Sequence, residues 1–485
     1  MEILTKALIW FGSNVLTNPP FFVGLLVFVG YLLLKKPFYE AFAGFLKATV
    51  GYLILNVGAG GLVVTFRPIL AGLNTKYNLS ASVIDPYFGL NAVNSALETI
   101  GLTAAWVMFS LLIGFGINIL LVLFRKYTKV RTLFITGHIM QQQATTATWM
   151  IFFLLPIFRN FYGAALIGIF SGVYWAVASN LSVEPTQRLT GNAGFAIGHQ
   201  QMVAVWFADR ISPKLGDPKK GVDEIKLPKW LSIFHDDIVA TGTLMMVFFG
   251  IIMYVLGPEV LLGDKSVAYI TGNKSFLIYV VETSLKFAVY LSVLKQGVRM
   301  FVSELTISFQ GISNTIIPGA IPAVDCAATY GFGSQNAILF GFLFGVLGQF
   351  LAIGSLIVLR LFNPLLIPVL IVTGFVPVFF DNATIAVFAN KRGGVKAVAI
   401  TTFISGILQV LLGAVAVVVF GLIGFGGWHG NIDQSTVWLA QGLLIKYLGL
   451  SGYILAVVSM LAIPILQYRR CKNKEQYYEG IVEEE

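Results

Sequence analysis

What most constrains this chain is a succession of apolar windows of about 20 residues, the length a helix needs to cross bilayer hydrocarbon. They fall near residues 17–34, 42–64, 101–124, 133–156, 161–180, 237–257, 276–295, 337–361, 364–380, 397–422 and 448–467. Of 485 residues, 57% are hydrophobic and 11% charged, with a mean hydropathy of +0.82. A soluble domain carries more than twice that share of charge, so this is an integral membrane protein. The runs are long and do not alternate, which favours helices over a β-barrel. The expected fold class is therefore all-α, with about eleven transmembrane helices.

Charge sets the expected orientation. The 32 Lys and Arg against 23 Asp and Glu, net +9, collect at Lys35 and Lys36, Arg125–Arg131, Asp209–Lys229, Lys295 and Arg299, Lys391–Lys396, and Arg469–Lys474. With eleven spans every cluster falls on one side, putting the N-terminus outside and the C-terminus inside. Loops drawn to anionic membrane lipid account for the excess, and no nucleic-acid partner is implied. Cys326 and Cys471 are too few for a disulfide framework or a metal cluster. The start, MEILTKALIWFGSN, lacks a cleavage-like pattern and reads as retained, and the end, KNKEQYYEGIVEEE, reads as a solvated cytoplasmic tail within 469–485.

Residues 65–100, 181–235 and 298–335 mix Gly, Pro and amides with short apolar pieces. Interfacial helices and re-entrant hairpins fit them best, because non-helical backbone at membrane depth survives only where protein or a cavity covers it. Two of these segments resemble each other. TFRPILAGLN followed by VIDPYFG matches SFQGISNTII followed by AVDCAATYGFG, making Asp85 and Asp325 equivalent. His138 then lies 53 residues beyond the first Asp, and Asp381 lies 56 beyond the second. If approximate repeats over 1–235 and 236–425 hold five spans each, the odd number inverts one relative to the other, an architecture that places substrate where the halves meet; the alternative is chance similarity of Gly-rich hairpins.

The polar islands suggest chemistry. TGHIMQQQAT holds His138 and Gln141–Gln143, GFAIGHQQ holds His199, Gln200 and Gln201, and SIFHDDIV holds His235. His429, in GFGGWHGN, reads as an outer-loop residue. His138 and Gln142 are four apart and share a helix face. Imidazoles and amides offer donors and acceptors without fixed charge, equipment for a polyhydroxy ligand or a delocalised anion, though the same groups also bridge helices. Asp325 suits a broken-helix tip, as a hydroxyl acceptor, an ion site or a cap. Asp381 or Asn382 suits the N-cap of a short helix or a plain turn.

Enzyme signatures are missing: no phosphate loop, Rossmann fingerprint, H-E-x-x-H or G-x-S-x-G occurs. The histidines are dispersed in sequence, so spacing implies no metal, and no cofactor is implied.

At TGHIMQQQAT, GFAIGHQQ, KLPKWLSIFHDDIV, IPAVDCAATY and DNATIAVFAN, the chain resembles the ascorbate-specific IIC permease component of the bacterial phosphotransferase system, over nearly its whole length. The resemblance implies a homodimer with a dimer-forming V-motif subdomain and a substrate-carrying core. It implies that Pro86, Tyr87, His138, Gln142, His199, Gln200 and Asp325 contact L-ascorbate, with no catalytic, cofactor or metal residue. Relatives tend to carry a small hydroxyl residue where Pro86 stands, and proline has no N–H to offer. Uptake would be coupled to phosphorylation by a separate phosphocysteine IIB protein, supplied by IIA, with Arg210–Lys229 the expected docking segment. The chain itself carries no phosphoryl-accepting C-G-x-G loop. The alternative within transporters is an ion-coupled carrier of a sugar acid or other small anion, with Asp325 or Asp381 as the coupling site. An intramembrane enzyme is the alternative of another class.

Overall fold

The computed structural model describes residues 18–77, 80–225, 228–263, 275–317, 319–471 and 473–482, with Trp10 and Val15 besides. In chain order its main elements are α1 (Pro19–Leu33), α2 (Phe38–Tyr77), β1 (Ser80–Ile84), α3 (Pro86–Thr99), α4 (Ala105–Leu123), β2 (Thr132–Phe134), α5 (Gly137–Leu154), α6 (Phe161–Leu181), α7 (Val183–Thr190) and β3 (Ala196–Ile197). There follow α8 (Met202–Leu215), α9 (Asp237–Leu256), α10 (Phe276–Ile316), β4 (Ile321–Val324), α11 (Gln335–Phe362), β5 (Val369–Thr373), α12 (Asn382–Val419), β6 (Gly427–Trp428), α13 (Leu439–Arg470) and α14 (Lys474–Glu479). Among the described residues, seven helices are long and apolar enough to cross a membrane.

The all-α expectation misses six short strands, which form two parallel sheets in the orders β5-β1-β6 and β2-β4-β3. Their purpose is physical: a chain that leaves helical geometry inside hydrocarbon must still pair its N–H and C=O groups. Each sheet takes its central strand from one half of the chain and its outer strands from the other. Ile84 pairs with both Thr373 and Trp428, and Val324 with Ile197. The window near 364–380 is accordingly not one helix. Pro364, Pro368 and Pro377 interrupt it, and the β-branched run between them forms β5 before a π-turn over Pro377–Asp381 leads into α12.

The first parts of the segments 65–100 and 298–335, expected as interfacial helices or re-entrant hairpins, instead continue α2 and α10 without a break. At about 1.5 Å per residue these helices of 40 and 41 residues run about 60 Å, twice the hydrocarbon thickness. They pack along each other with α1 and α9 as one group. The second group pairs α4 with α6 and α11 with α12, and α5 bridges the two. Small residues set the closest approach: a Cβ on Gly172 would stand 2.3 Å from the Gly114 carbonyl oxygen, so α4 and α6 meet backbone to backbone. Glycines with positive φ bend α12 at Gly394 and α13 at Gly449.

Two further expectations change. The basic segment from Asp209 begins as helix, since Asp209 through Leu215 belong to α8, and Asp209 is buried in an ion pair with Arg188. The tail does not trail into solvent, because Tyr477 on α14 is 1% exposed and lies under the Arg131 guanidinium at 3.8 Å. Its hydroxyl donates to the Lys129 carbonyl at 2.8 Å and accepts from Asn180 at 3.0 Å. Its charges dominate a composition-based reading, but one aromatic ring meeting one cation decides its position.

Candidate functional site

The site is built where the two sheets release the chain into helices. After β1, Asp85 is the N-cap of α3, its Oδ1 accepting from the Tyr87 N–H at 3.0 Å. Pro86 takes the first helical position, where a missing N–H costs nothing. The proline thus has a local structural reason, and the Tyr87 N–H is already engaged. After β4, Asp325 caps the short 3-10 turn Cys326–Thr329 through Oδ1, which accepts from the Ala327 N–H at 2.9 Å.

All seven residues singled out from the sequence come together here. The Tyr87 hydroxyl lies near the Gln142 side chain. The Gln142 Oε1 accepts from Gln200 Nε2 at 2.7 Å, and the Gln200 Oε1 accepts from Gln143 Nε2 at 2.8 Å. Beside this amide chain, His138 Nε2 lies 3.5 Å from Asp325 Oδ2, and the rings of His138 and His199 meet edge to face at 6.1 Å. Tyr87, Gln142, His199 and Gln200 are buried, whereas the Asp325 side chain is 40% exposed.

The state of His199 follows from its neighbours. Gln201 Nε2 donates to the Phe380 carbonyl at 3.1 Å and to Thr384 at 2.8 Å, which orients the amide and turns its Oε1 toward His199 Nδ1 at 2.7 Å. Nδ1 therefore carries a proton directed at Gln201. Among the described residues, His138 Nδ1 is buried without a partner. Sequence spacing suggested no metal, but space unites His138, His199 and Asp325, whose ligand atoms lie within 4.8 Å of one another, a donor set that also suits a divalent cation.

The remaining islands sort differently. Gln141 turns away and donates to the Tyr52 hydroxyl on α2 at 2.8 Å. Gln143 links to Gln200 and accepts from Trp175 Nε1 at 2.8 Å. Both brace neighbouring elements, as their places on α5 require. His429 is not an outer-loop residue: it is 1% exposed, with Nδ1 2.6 Å from Thr146 Oγ1, one turn beyond Gln142. β6 pairing with β1 carries it inward, which its glycine-rich surroundings conceal. The side chain of His235 lies outside the described residues.

A brace that the sequence did not disclose stands behind the site. Asp433 accepts from the Val203 N–H at 2.8 Å, the Ala204 N–H at 3.0 Å and the Tyr174 hydroxyl at 2.8 Å, so it caps α8 immediately after Gln200 and Gln201. Asp381 in turn accepts from Asn431 at 2.7 Å, the Ile432 N–H at 2.7 Å and Gln409 at 2.8 Å. Three donors apiece explain how two carboxylates tolerate full burial. An acidic residue just before an apolar span was the available signal for Asp433, but nothing local pointed to α8.

Comparison with known proteins gives two likenesses. A family profile described as "PTS system sugar-specific permease component" matches residues 14–433. A Mycoplasma pneumoniae protein named "Ascorbate-specific PTS system EIIC component" is 34% identical over 437 residues. The match takes in 82% of this chain and 65% of that protein, so the chain spans just under two thirds of its relative's length.

Proposed function

The chain belongs to the sugar-specific permease components of the phosphotransferase system and is a multi-pass membrane protein, and we propose that it binds L-ascorbate and carries it inward by alternating access. The observation that carries this reading is the joined cluster of Tyr87, Gln142, Gln200, His138, His199 and Asp325. Ascorbate is a planar enediol lactone monoanion with hydroxyls on its side chain. Its hydroxyls would donate to His199 Nε2, His138 Nδ1 and Asp325, while its delocalised enolate would take the Tyr87 O–H. Pro86 would line the wall as the first residue of α3 without offering a hydrogen bond. The name of the Mycoplasma pneumoniae relative supports the same substrate.

In this proposal the chain crosses the membrane eleven times, the crossing near 364–380 made by β5 and the turn into α12 rather than by one helix, its C-terminus lies in the cytoplasm of an inner membrane, and a separate IIB protein, served by IIA, phosphorylates the arriving sugar acid. The group of α1, α2, α9 and α10 would be the V-motif scaffold of a homodimer, and the rest the moving core. An inverted repeat is supported by the exchange of strands, since β1, β2 and β3 stand to one another as β4, β5 and β6 do. The register sharpens the equivalence. Gln200 and Asn431 each stand three residues beyond their strands β3 and β6, and Gln143 and Asp381 stand nine and eight beyond β2 and β5. Gln143, not His138, is then the counterpart of Asp381, and each pair is hydrogen-bonded. For the ion-coupled alternative, Asp381 is occupied by backbone and amide donors, which leaves Asp325 as its coupling site.

The test is calorimetric binding of ascorbate to the purified protein. Gln142→Ala should weaken binding at least fivefold, about the 1 kcal/mol of a buried hydrogen bond, while Gln141→Ala should bind as wild type does. A folded wild-type protein that ignores ascorbate but binds another sugar acid would remove the substrate assignment.

A further inference from the structure

A cavity of about 600 Å³ lies between α6, α7, α8 and α13, away from the amide and imidazole cluster. Its walls share one polarity. On α6 and α7 they run from Val177 and Leu181 to Arg188; on α8 from Val203 and Trp206 to Arg210; on α13 from Met460 and Ile463 to Arg470. The three arginine ends converge. Gln467 on α13 bonds Asn180 on α6 at 2.8 Å and Glu184 on α7 at 3.2 Å, and Arg188 on α7 pairs with Asp209 on α8. Along α13 the lining face from Ser459 to Arg470 covers three helical turns, about 16 Å.

The charges at that end do not cancel. Arg188 is neutralised by Asp209, and Glu184 by Arg131 at 2.5 Å. Arg210 stacks on Trp206 at 4.7 Å, and among the described residues neither Arg210 nor Arg470 forms an ion pair. Trp206, also in the lining, has its Nε1 buried without a partner among the described residues. An apolar slot of acyl-chain length ending in two unneutralised guanidiniums and an indole donor complements one class of molecule. Basic pockets between spanning helices recognise anionic headgroups, and arginine suits the phosphate.

We propose that this cavity binds an anionic phospholipid, its phosphodiester on Arg210 and Arg470 and one acyl chain against Leu181, Met460 and Ile463. This site is independent of what the permease transports. The experiment is thermal unfolding of the full chain in neutral detergent with added phosphatidylglycerol, with phosphatidylcholine of the same chains, or with inorganic phosphate alone. Phosphatidylglycerol should raise the midpoint by several degrees more than phosphatidylcholine. The difference should vanish in Arg210→Gln/Arg470→Gln and persist in Lys47→Gln/Lys286→Gln, where the removed cations lie on α2 and α10. A difference that survives Arg210→Gln/Arg470→Gln overturns the site. Phosphate alone reproducing the full shift overturns the lipid as its ligand. Ala178→Trp, filling the slot while leaving both arginines, supplies a second reading if it is monodisperse: the phosphatidylglycerol effect should fall, and an undiminished effect also counts against the proposal.

Discussion

Asp85 and Asp325 occupy matching places, each at the end of a central strand and each capping the helical turn that follows, yet they differ in what their second oxygen meets. Asp85 is fully buried, and its Oδ2 accepts from the Val376 N–H at 3.3 Å, beside the β5 connection. Asp325 caps only a four-residue turn, and its Oδ2 looks past His138 into the cluster with the side chain 40% exposed. The same capping arrangement is a brace at Asp85 and, in the proposed function, leaves Asp325 facing the ligand. The difference lies in whether neighbouring backbone consumes both oxygens.

That contrast can be broken most forcefully at Asp85. Asp85→Ala orphans two buried N–H groups at about 1–3 kcal/mol each, so a stability loss of about 3 kcal/mol or more is expected, seen as a lower unfolding midpoint or poor yield. A stable variant lacking only ascorbate binding would instead make Asp85 a ligand. Gly198→Ala comes next. A Cβ there would stand 2.6 Å from the Ala323 carbonyl oxygen, wedging β3 from β4 one residue before His199. It should cost about 1–3 kcal/mol of stability and weaken binding together, because the overpacked strand carries the site. Asp325→Asn sharpens the comparison. Asparagine caps as well as aspartate, so the unfolding midpoint should hold while affinity falls about tenfold, about 1.4 kcal/mol. Equal affinity in calorimetry would return Asp325 to a capping role. The smallest effect is expected from Tyr52→Phe, which removes the partner of Gln141. Stability should drop by about 1 kcal/mol with binding unchanged.

Much of the candidate site was legible because hydrocarbon penalises polar groups, so an imidazole or amide inside an apolar run is conspicuous. His138, Gln142, His199 and Gln200 stood out for that reason, and helical periodicity separated Gln142 from Gln141. What stayed hidden rests on partners distant in sequence. Asp433 caps a helix that begins about 230 residues earlier. His429 is drawn in by strand pairing with β1, and Tyr477 by Arg131, 346 residues away. The stretch 364–380 had the hydropathy of a span, but hydropathy averages composition and cannot separate a buried strand leading into a helix from one continuous helix.

By itself, then, the sequence determined that this chain lives in a membrane, where its principal helices lie and which polar islands must be sheltered, because those outcomes follow from transfer of local segments out of water. Tertiary structure alone decided the exchange of strands between halves and the spending of Asp85 against the freedom of Asp325. It also decided the union of His138, His199 and Asp325 within 4.8 Å. The reason is that a hydrogen-bonding group is satisfied by whichever partner the fold brings within reach, and no local pattern records which one that is.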